Sequence, residues 1–582
     1  MATYLLILII AASAFSTLNA DVSIDCGSSE SYSSDDYSIG WVGDDLYIQH
    51  GESVELQSSK PIYQPMATLR VFTDRKKNCY NIDSEKGSKV LVRAYFFYGN
   101  YDGKSSPPKF DLHFDGNHWI TVETSADQLV YYEAIYVTKT DTISVCVAQT
   151  FPNMFPFISA IEVRDLDSKM YGYSDSNRAL MLRRRVAYGT KAIVRSTDDF
   201  YDRIWVPAVN GDDFTVLTSD ETFIEVSLDD SPPRALFQNA FATDNTSTSI
   251  QLGTNLPTTK VPVYMNIYYS EASVLDSTQK RSLQLLVDGK IYTKPFIPVY
   301  GTAGEFTLNN LTANSDTIFS LAASPDSTLP PLINALEVFT VSDELTDGTN
   351  SDDVEGLASL QDEFNVLKDW GGDPCLPSPY SWDWINCTSG STPRVTALDL
   401  HNNSLIGSIP EFLGTLPNLK QLNLAGNDLS GTIPSSISKN KKLKLTVTDN
   451  PNLCVSGKSC KTASVDTSGS GGSSSSGGRK KSKLPVILGT TIPIFVLVWV
   501  IGGVCAVLHH KRKSAAIAAG NVGQVGGANK SSGNPQAAQM QMAANNMAQN
   551  VVNDFIMNVH EQQSAPEPVY NDDQQNHLEE GN

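Results

Sequence analysis

The chain is short of basic residues. Its 582 residues carry 43 Lys and Arg against 64 Asp and Glu, a formal net charge of −21. That balance excludes a nucleic-acid binder, because phosphate contacts need a basic footprint. It suits an extracellular, well-solvated surface. Chemistry-bearing patterns are also missing. No Ser-His-Asp order, His/Cys metal cluster or paired-carboxylate motif stands out, so neither an enzyme nor a cofactor is expected. Gly520, Gly523 and Gly526 are wrongly spaced for a kinase loop, and no lysine strand, catalytic Asp loop or Asp-Phe-Gly follows them.

Charge is absent altogether from residues 484–508. As a helix these 25 residues would extend roughly 37 Å, enough to cross a bilayer with some tilt. Residues 1–20 read as a signal peptide, with an apolar run and the small residue Ala20 at its end. Basic residues flank both sides of the span, so the leader sets the orientation: N-terminus outside, a single-pass type I protein of the plasma membrane. Residues 461–483 form a Gly/Ser-rich linker whose typical reach is about 25 Å. Residues 509–582 are a cytoplasmic tail expected to be mostly disordered. Within it Met547, Val551, Phe555 and Val559 recur every fourth residue, a pattern suited to a short docking helix.

Cysteines are few, eight in all, and seven precede the span. Cys375 and Cys387 are close in sequence, as are Cys454 and Cys460, and each pair is expected to be bridged. Cys26, Cys79 and Cys146 leave an odd one, and their pairing stays open. Sequons at Asn245, Asn310, Asn386 and Asn402 all precede the span and are expected to be glycosylated.

Helical periodicity is scarce over residues 21–342. Short alternating runs at 89–97, 110–114, 129–137 and 142–148, punctuated by Gly, Pro, Asp and Asn, predict an all-β sandwich. The pattern occurs twice. Pro156-Phe-Ile-Ser-Ala-Ile-Glu-Val-Arg164 echoes Pro331-Leu-Ile-Asn-Ala-Leu-Glu-Val-Phe339, and Phe110-Asp-Leu-His-Phe-Asp-Gly116 echoes Leu283-Gln-Leu-Leu-Val-Asp-Gly289. The offsets are 175 and 173 residues, so the copies keep nearly the same internal spacing. Two tandem sandwiches follow, at 21–185 and 186–342, each with an Asp-Gly turn between two strands. Tyr95, Tyr98, Tyr101 and Asp102 are the candidate ligand contacts, since aromatic faces stack on sugar C–H surfaces and carboxylates accept from hydroxyls. Tyr95 and Phe97 share one face of a strand, Phe96 and Tyr98 the other, and one of those faces should be core.

Ile24-Asp-Cys-Gly27, Asn78-Cys-Tyr80, Val92-Arg-Ala-Tyr-Phe-Phe-Tyr-Gly99, Tyr201-Asp-Arg-Ile-Trp205 and Leu329-Pro-Pro-Leu-Ile-Asn-Ala-Leu-Glu337 together resemble the plant malectin-like domain. The resemblance implies two jelly-roll modules akin to carbohydrate-binding modules, in a family that senses cell-wall glycans, secreted peptides or both.

Residues 343–390 open with a helix, capped by Asp352 with Glu355 reaching back, and with Val354, Leu357, Leu360, Phe364 and Leu367 at helical spacing. The Gly372-Asp-Pro-Cys375 run with Trp382, Trp384 and Cys387 resembles the N-terminal cap of plant leucine-rich repeat receptors; a Cys375–Cys387 bridge would then shield the first repeat. Residues 391–460 hold two repeats, Leu398-Asp-Leu400 to Pro410 and Leu422-Asn-Leu424 to Pro434, offset by 24 residues. Leu445, Val447, Asn450 and Leu453 form a degenerate third coil. The chain as a whole resembles plant malectin-like, leucine-rich repeat receptor kinases without the kinase. That resemblance implies a mainly β receptor-like protein that binds a cell-wall oligosaccharide or secreted peptide and works with a membrane receptor-like kinase. A non-catalytic scaffold or decoy for a kinase-bearing relative is the alternative.

Overall fold

The structure is a computed structural model that describes residues 21–34, 37–57, 63–126, 128–209 and 214–454. The predicted leader, linker, membrane span and tail, and Cys460, lie outside these residues. Among the described residues no helix is long and apolar enough to cross a membrane.

The chain is mainly β, as its alternation predicts. Seven strands organise it: β1 (Lys89–Phe96), β2 (Val130–Val137), β3 (Ala160–Leu166), β4 (Leu180–Ala187), β5 (Val261–Tyr269), β6 (Gly304–Ala313) and β7 (Ala335–Val341). They lie side by side in the order β3-β1-β2-β4-β7-β5-β6, within an 11-stranded sheet. The sheets of the two sandwiches are therefore one sheet. β4 pairs with β2 on one side (Ala134 opposite Met181) and with β7 on the other (Val186 opposite Leu336). The expected boundary at 185–186 falls inside this shared strand.

Each half covers the common sheet with its own four-stranded layer. In the first half the hairpin Lys109–Phe114 to Asn117–Glu123 turns at Asp115-Gly116, with φ of +44° and +75°. In the second half Leu283–Val287 turns back at Asp288-Gly289, with φ of +50° and +73°. Both φ values are positive in each, the conformation a two-residue hairpin turn demands. Val92, Phe96, Phe110, Phe114 and Val145 fill the first core; Val263, Ile267, Leu285, Phe319 and Leu336 fill the second. Each such side chain contributes about 1.5–3 kcal/mol when fully buried.

The opposite face of the common sheet is also buried, and it is charged. Opposite-strand register places Glu162 beside Arg93, Arg93 beside Glu133, Arg185 beside Glu337, and Glu337 beside Asn266. Arg93 donates to Glu133 Oε2 at 2.7 Å and to Glu162; Arg185 donates to Glu133 Oε1 at 2.7 Å and to Glu337. The four side chains Arg93, Glu133, Arg185 and Glu337 are fully buried. Acid and base thus alternate across the seam between the two halves. The segment that contains Tyr201-Asp-Arg-Ile-Trp205 roofs this row. Arg195 and Arg164 bind Asp202, the backbone carbonyl of Asp202 accepts from Arg93 at 3.0 Å, and Arg203 binds Asp199.

Cys79 and Cys146 form a disulfide between adjacent strands, leaving Cys26 free and buried. That resolves the odd cysteine. Gly372 (φ +68°) rests on this bridge: an added Cβ would lie 2.5 Å from Cys79 Sγ, so only glycine fits. Around it the cap docks on the first sandwich. Lys77 Nζ donates to the carbonyls of Asp373 (2.6 Å) and Leu376 (2.8 Å), Arg75 Nη1 to that of Asp369 (3.0 Å), and Tyr380 to Asp111 (3.2 Å).

Helix α1 (Ser351–Glu363) is capped by Asn350, whose side chain accepts from the Asp352 amide, and not by Asp352. Val354 is 40% exposed and takes no part in the core, whereas Leu357, Leu360, Phe364 and Leu367 pack against Trp382, Trp384 and Leu398. Buried Asp353 ties the helix to the solenoid through Arg394 (2.9 Å) and the Val395 amide (2.8 Å). Cys375–Cys387 closes the cap as expected. Cys454 is also disulfide-bonded.

The solenoid strands β8 (Val395–Asp399), β9 (Gln421–Asn423) and β10 (Lys444–Thr446) pair in parallel. Asn427 accepts from the Asn403 and Leu405 amides and donates to the Leu400 and Leu424 carbonyls. Asn450 repeats this one coil on, toward Leu429 and Leu424. The degenerate third coil is therefore real in backbone terms.

Arg93→Met tests the charged row. It leaves Glu133 and Glu162 without one guanidinium, and loss of one partner of a buried pair costs about 3–5 kcal/mol. Urea unfolding of the protein should show a drop of that size; a change below about 1 kcal/mol would mean the row does not hold the halves together.

Candidate functional site

The four predicted ligand contacts lie at the end of β1 and in the loop after it. Tyr95 faces the charged row. It is 4% exposed, and its phenol donates to Glu162 Oε2 at 2.6 Å. Tyr98 faces the opposite way and is 0% exposed. Its hydroxyl donates to Asp102 Oδ1 (2.5 Å) and accepts from the Ser106 amide (3.3 Å). Both tyrosines are interior residues and present no face to a ligand, which corrects the expectation for them. The strand alternates as its sequence predicts, but both faces of β1 are covered.

Tyr101 and Asp102 reach the surface in part. The Tyr101 ring packs on Phe157 and Tyr98, with centroids 5.6 and 5.4 Å away. Burial pushes the Asp102 carboxyl up, but hydrogen bonds from Tyr98 and the Lys104 amide, with the Lys104 ammonium 3.1 Å away, hold it below the usual range. The structure brings Tyr98, Tyr101 and Asp102 together as the internal frame of a loop. The sequon residues Asn245, Asn310, Asn386 and Asn402 are all exposed.

The second half repeats the first, with one difference. Tyr268 donates to Glu337 Oε2 at 2.8 Å, as Tyr95 does to Glu162. Two residues before the tyrosine, however, Asn266 stands where the first half has Arg93. Asp230 accepts from Asn266 Nδ2 at 2.5 Å. Glu305, on the neighbouring strand opposite Tyr268, shares a hydrogen bond with Asp230. With an amide at position 266, the three carboxylates Asp230, Glu305 and Glu337 face, among the described residues, only Arg185 and Arg203, which Glu133 and Asp199 share. Burial first, then the Asp230 and Glu337 carboxylates, push Glu305 up to about 9, so it keeps a proton at neutral pH. Sequence reading missed this pair. The signal was present in the repeat: Arg93-Ala-Tyr95 aligns with Asn266-Ile-Tyr268.

A concavity of about 350 Å³ opens between the first sandwich, helix α1 and the cap. Thr142 and Lys139 come from the sandwich, Ala358 and Gln361 from the helix, and Trp370 and Trp382 from the cap. Among the described residues no three His, Cys, Asp or Glu side chains converge as a metal site.

Residues 24–341 match the family model for the malectin-like domain. This chain belongs to the malectin-like family. A model for two leucine-rich repeats matches residues 393–438 of this malectin-like protein. It is 34% identical over 411 residues to a probable LRR receptor-like serine/threonine-protein kinase of Arabidopsis thaliana, covering 68% of this chain and 47% of the relative. It is 37% identical over 338 residues to an uncharacterized protein of the same plant, covering 57% of this chain and 67% of that one. The chain spans about half the length of most of the curated kinase relatives it matches. The crystal structure of the ANX2 ectodomain from Arabidopsis thaliana overlays with a TM-score of 0.49 at 17% identity, covering 55% of this chain and 97% of that chain. No kinase domain lies among the described residues of the malectin-like chain.

Glu305 gives this fold an alkaline weakness. Its folded value lies above its ordinary 4.5, so the native state holds a proton that the unfolded state releases. The stability that this proton provides is complete below pH 4.5 and falls as pH rises toward about 9. Glu305→Gln should flatten that decline in melting temperature measured across the window. An unchanged slope would show that the pair does not share a proton.

Proposed function

We propose that this chain is a type I plasma-membrane receptor-like protein. It recognises a cell-wall carbohydrate or a secreted peptide through its malectin-like ectodomain, has no catalysis of its own, and signals through a separate membrane receptor-like kinase. The observation that carries this reading is the match to receptor-like kinases over 68% of the chain, with a malectin-like domain and leucine-rich repeats in one order and no kinase domain among the described residues. The shared sheet supports it physically. A sheet continuous across both sandwiches, with its charged face roofed, is a rigid platform, and recognition sites built on rigid elements lose little entropy on binding.

The test uses the full-length chain in lipid nanodiscs, screened against neutral and acidic wall oligosaccharides and against small secreted peptides. Saturable binding in one class is expected. In plant cells, deletion of residues 514–582 should leave ligand binding intact and abolish ligand-dependent phosphorylation of the associated kinase. A tail-deleted chain that still modulates the kinase would favour the scaffold or decoy reading, in which the ectodomain alone makes the contact.

A further inference from the structure

The concavity beside helix α1 has a lining that selects for a chemistry. It carries three carboxylates, Asp115, Asp347 and Asp373, against one ammonium, Lys139, and each is already engaged by the protein. Lys139 Nζ lies 2.7 Å from Asp347 Oδ1 and also donates to the Leu345 carbonyl at 2.9 Å. Asp373 is saturated by its own cap: Oδ1 accepts from the Thr349 hydroxyl and the Cys375 and Leu376 amides, and Oδ2 from the Thr349 amide. Asp115 points inward, taking the Ser144 amide at 2.7 Å and the Tyr136 hydroxyl at 2.8 Å. No lining cation is left free to pair with an acidic ligand, which would meet a surplus of carboxylates and lose its hydration without repayment.

What remains is an apolar lining, in which Trp370 is joined by Leu345, Val354, Leu357 and Ala358, and a set of neutral hydrogen-bonding groups. Trp370 lines the space and is held from outside by the Arg75 guanidinium, 4.2 Å from the ring centroid. Trp382 is fixed by its indole N–H on the Gly371 carbonyl, at 2.9 Å. Thr140 and Thr142 add hydroxyls from the sandwich, and Gln361 adds an amide whose Nε2 is tied to the Leu367 and Trp370 carbonyls. A fixed indole with neutral hydroxyl and amide groups around it matches a pyranose, which has a C–H face and a rim of hydroxyls. The volume, about 350 Å³, sits at the small end of ligand sites, which run from about 300 to 1,000 Å³. It holds one or two sugar rings and no folded peptide.

We infer that the concavity between the first sandwich, helix α1 and the cap binds the end of a neutral saccharide. This rests on the recognition role proposed above and assigns it a place outside the Tyr95–Asp102 segment. A ligand here touches both the malectin-like half and the repeat cap, so binding fixes the one relative to the other.

The full-length chain in nanodiscs is titrated with cellobiose, xylobiose and β-1,4-galactobiose, with digalacturonic acid as the charged comparison. Saturation-transfer NMR and calorimetry give the readout. At least one neutral disaccharide should bind saturably and digalacturonic acid should not. Ala358→Trp and Thr142→Trp fill the space from opposite walls at exposed positions, and each should weaken binding about tenfold or more with the melting temperature unchanged. Undiminished binding in both variants, a preference for the acidic sugar, or no binding by any of the neutral disaccharides overturns the inference. A chain that binds none of them and still captures a secreted peptide loses this site and keeps its receptor role.

Discussion

The row of buried charges across the common sheet is the constraint on which the rest of the ectodomain depends. Arg93, Glu133, Arg185 and Glu337 come from four neighbouring strands and have no access to water. Each ion is tolerable only because the next strand supplies its counter-ion. The seam between the halves runs through the middle of the row, between Glu133 and Arg185. Separating the two sandwiches would take one partner from each, leaving Glu133 to Arg93 and Arg185 to Glu337, so the halves are held by electrostatics as well as by backbone pairing. The roof formed by Asp199–Trp205 has the same logic, since its carboxylates and carbonyls complete the shells of Arg93, Arg164, Arg195 and Arg203.

Much of this architecture was legible in the sequence, because repetition and period are local signals. The two Asp-Gly turns, the strand following each, and the 24-residue solenoid period could be read directly. What sequence could not supply was the partner of each face. The Pro156–Arg164 and Pro331–Phe339 repeats contain Glu162 and Glu337, yet nothing local says that a glutamate in a strand will be buried by a roof that lies some 40 residues from the one and some 135 from the other in sequence. Tyr98 likewise obeys alternation, and only the second layer decides that its face is closed. The helix start moved by two residues because Asn350 and Asp352 are equally good caps, and the choice fell to whichever left Asp353 free to reach Arg394. Cys26, Cys79 and Cys146 could be sorted only once Cys79 and Cys146 were seen on paired strands.

The junction explains how so short a solenoid is stable. Solenoids usually need about three units and a cap. Here the cap is itself clamped: Gly372 sits on a disulfide of the first sandwich, Lys77 and Arg75 hold its carbonyls, and Asp353 links helix α1 to the first repeat. The sandwich thus serves as the missing end of the stack, and the ladder of Asn427 and Asn450 carries that order into the third coil.

The alternating row also restricts how this interior changes over generations. A single substitution at Arg93 takes one guanidinium from two carboxylates at once, leaving Glu133 to Arg185 and Glu162 to Arg164 and Arg195. A single replacement along the seam therefore disturbs two strands at once, while at Asn266 the second half has an amide where the first has Arg93, and the nearby Glu305 carboxyl is pushed up. The two halves share one pattern but differ in buried charge, so neither can stand in for the other.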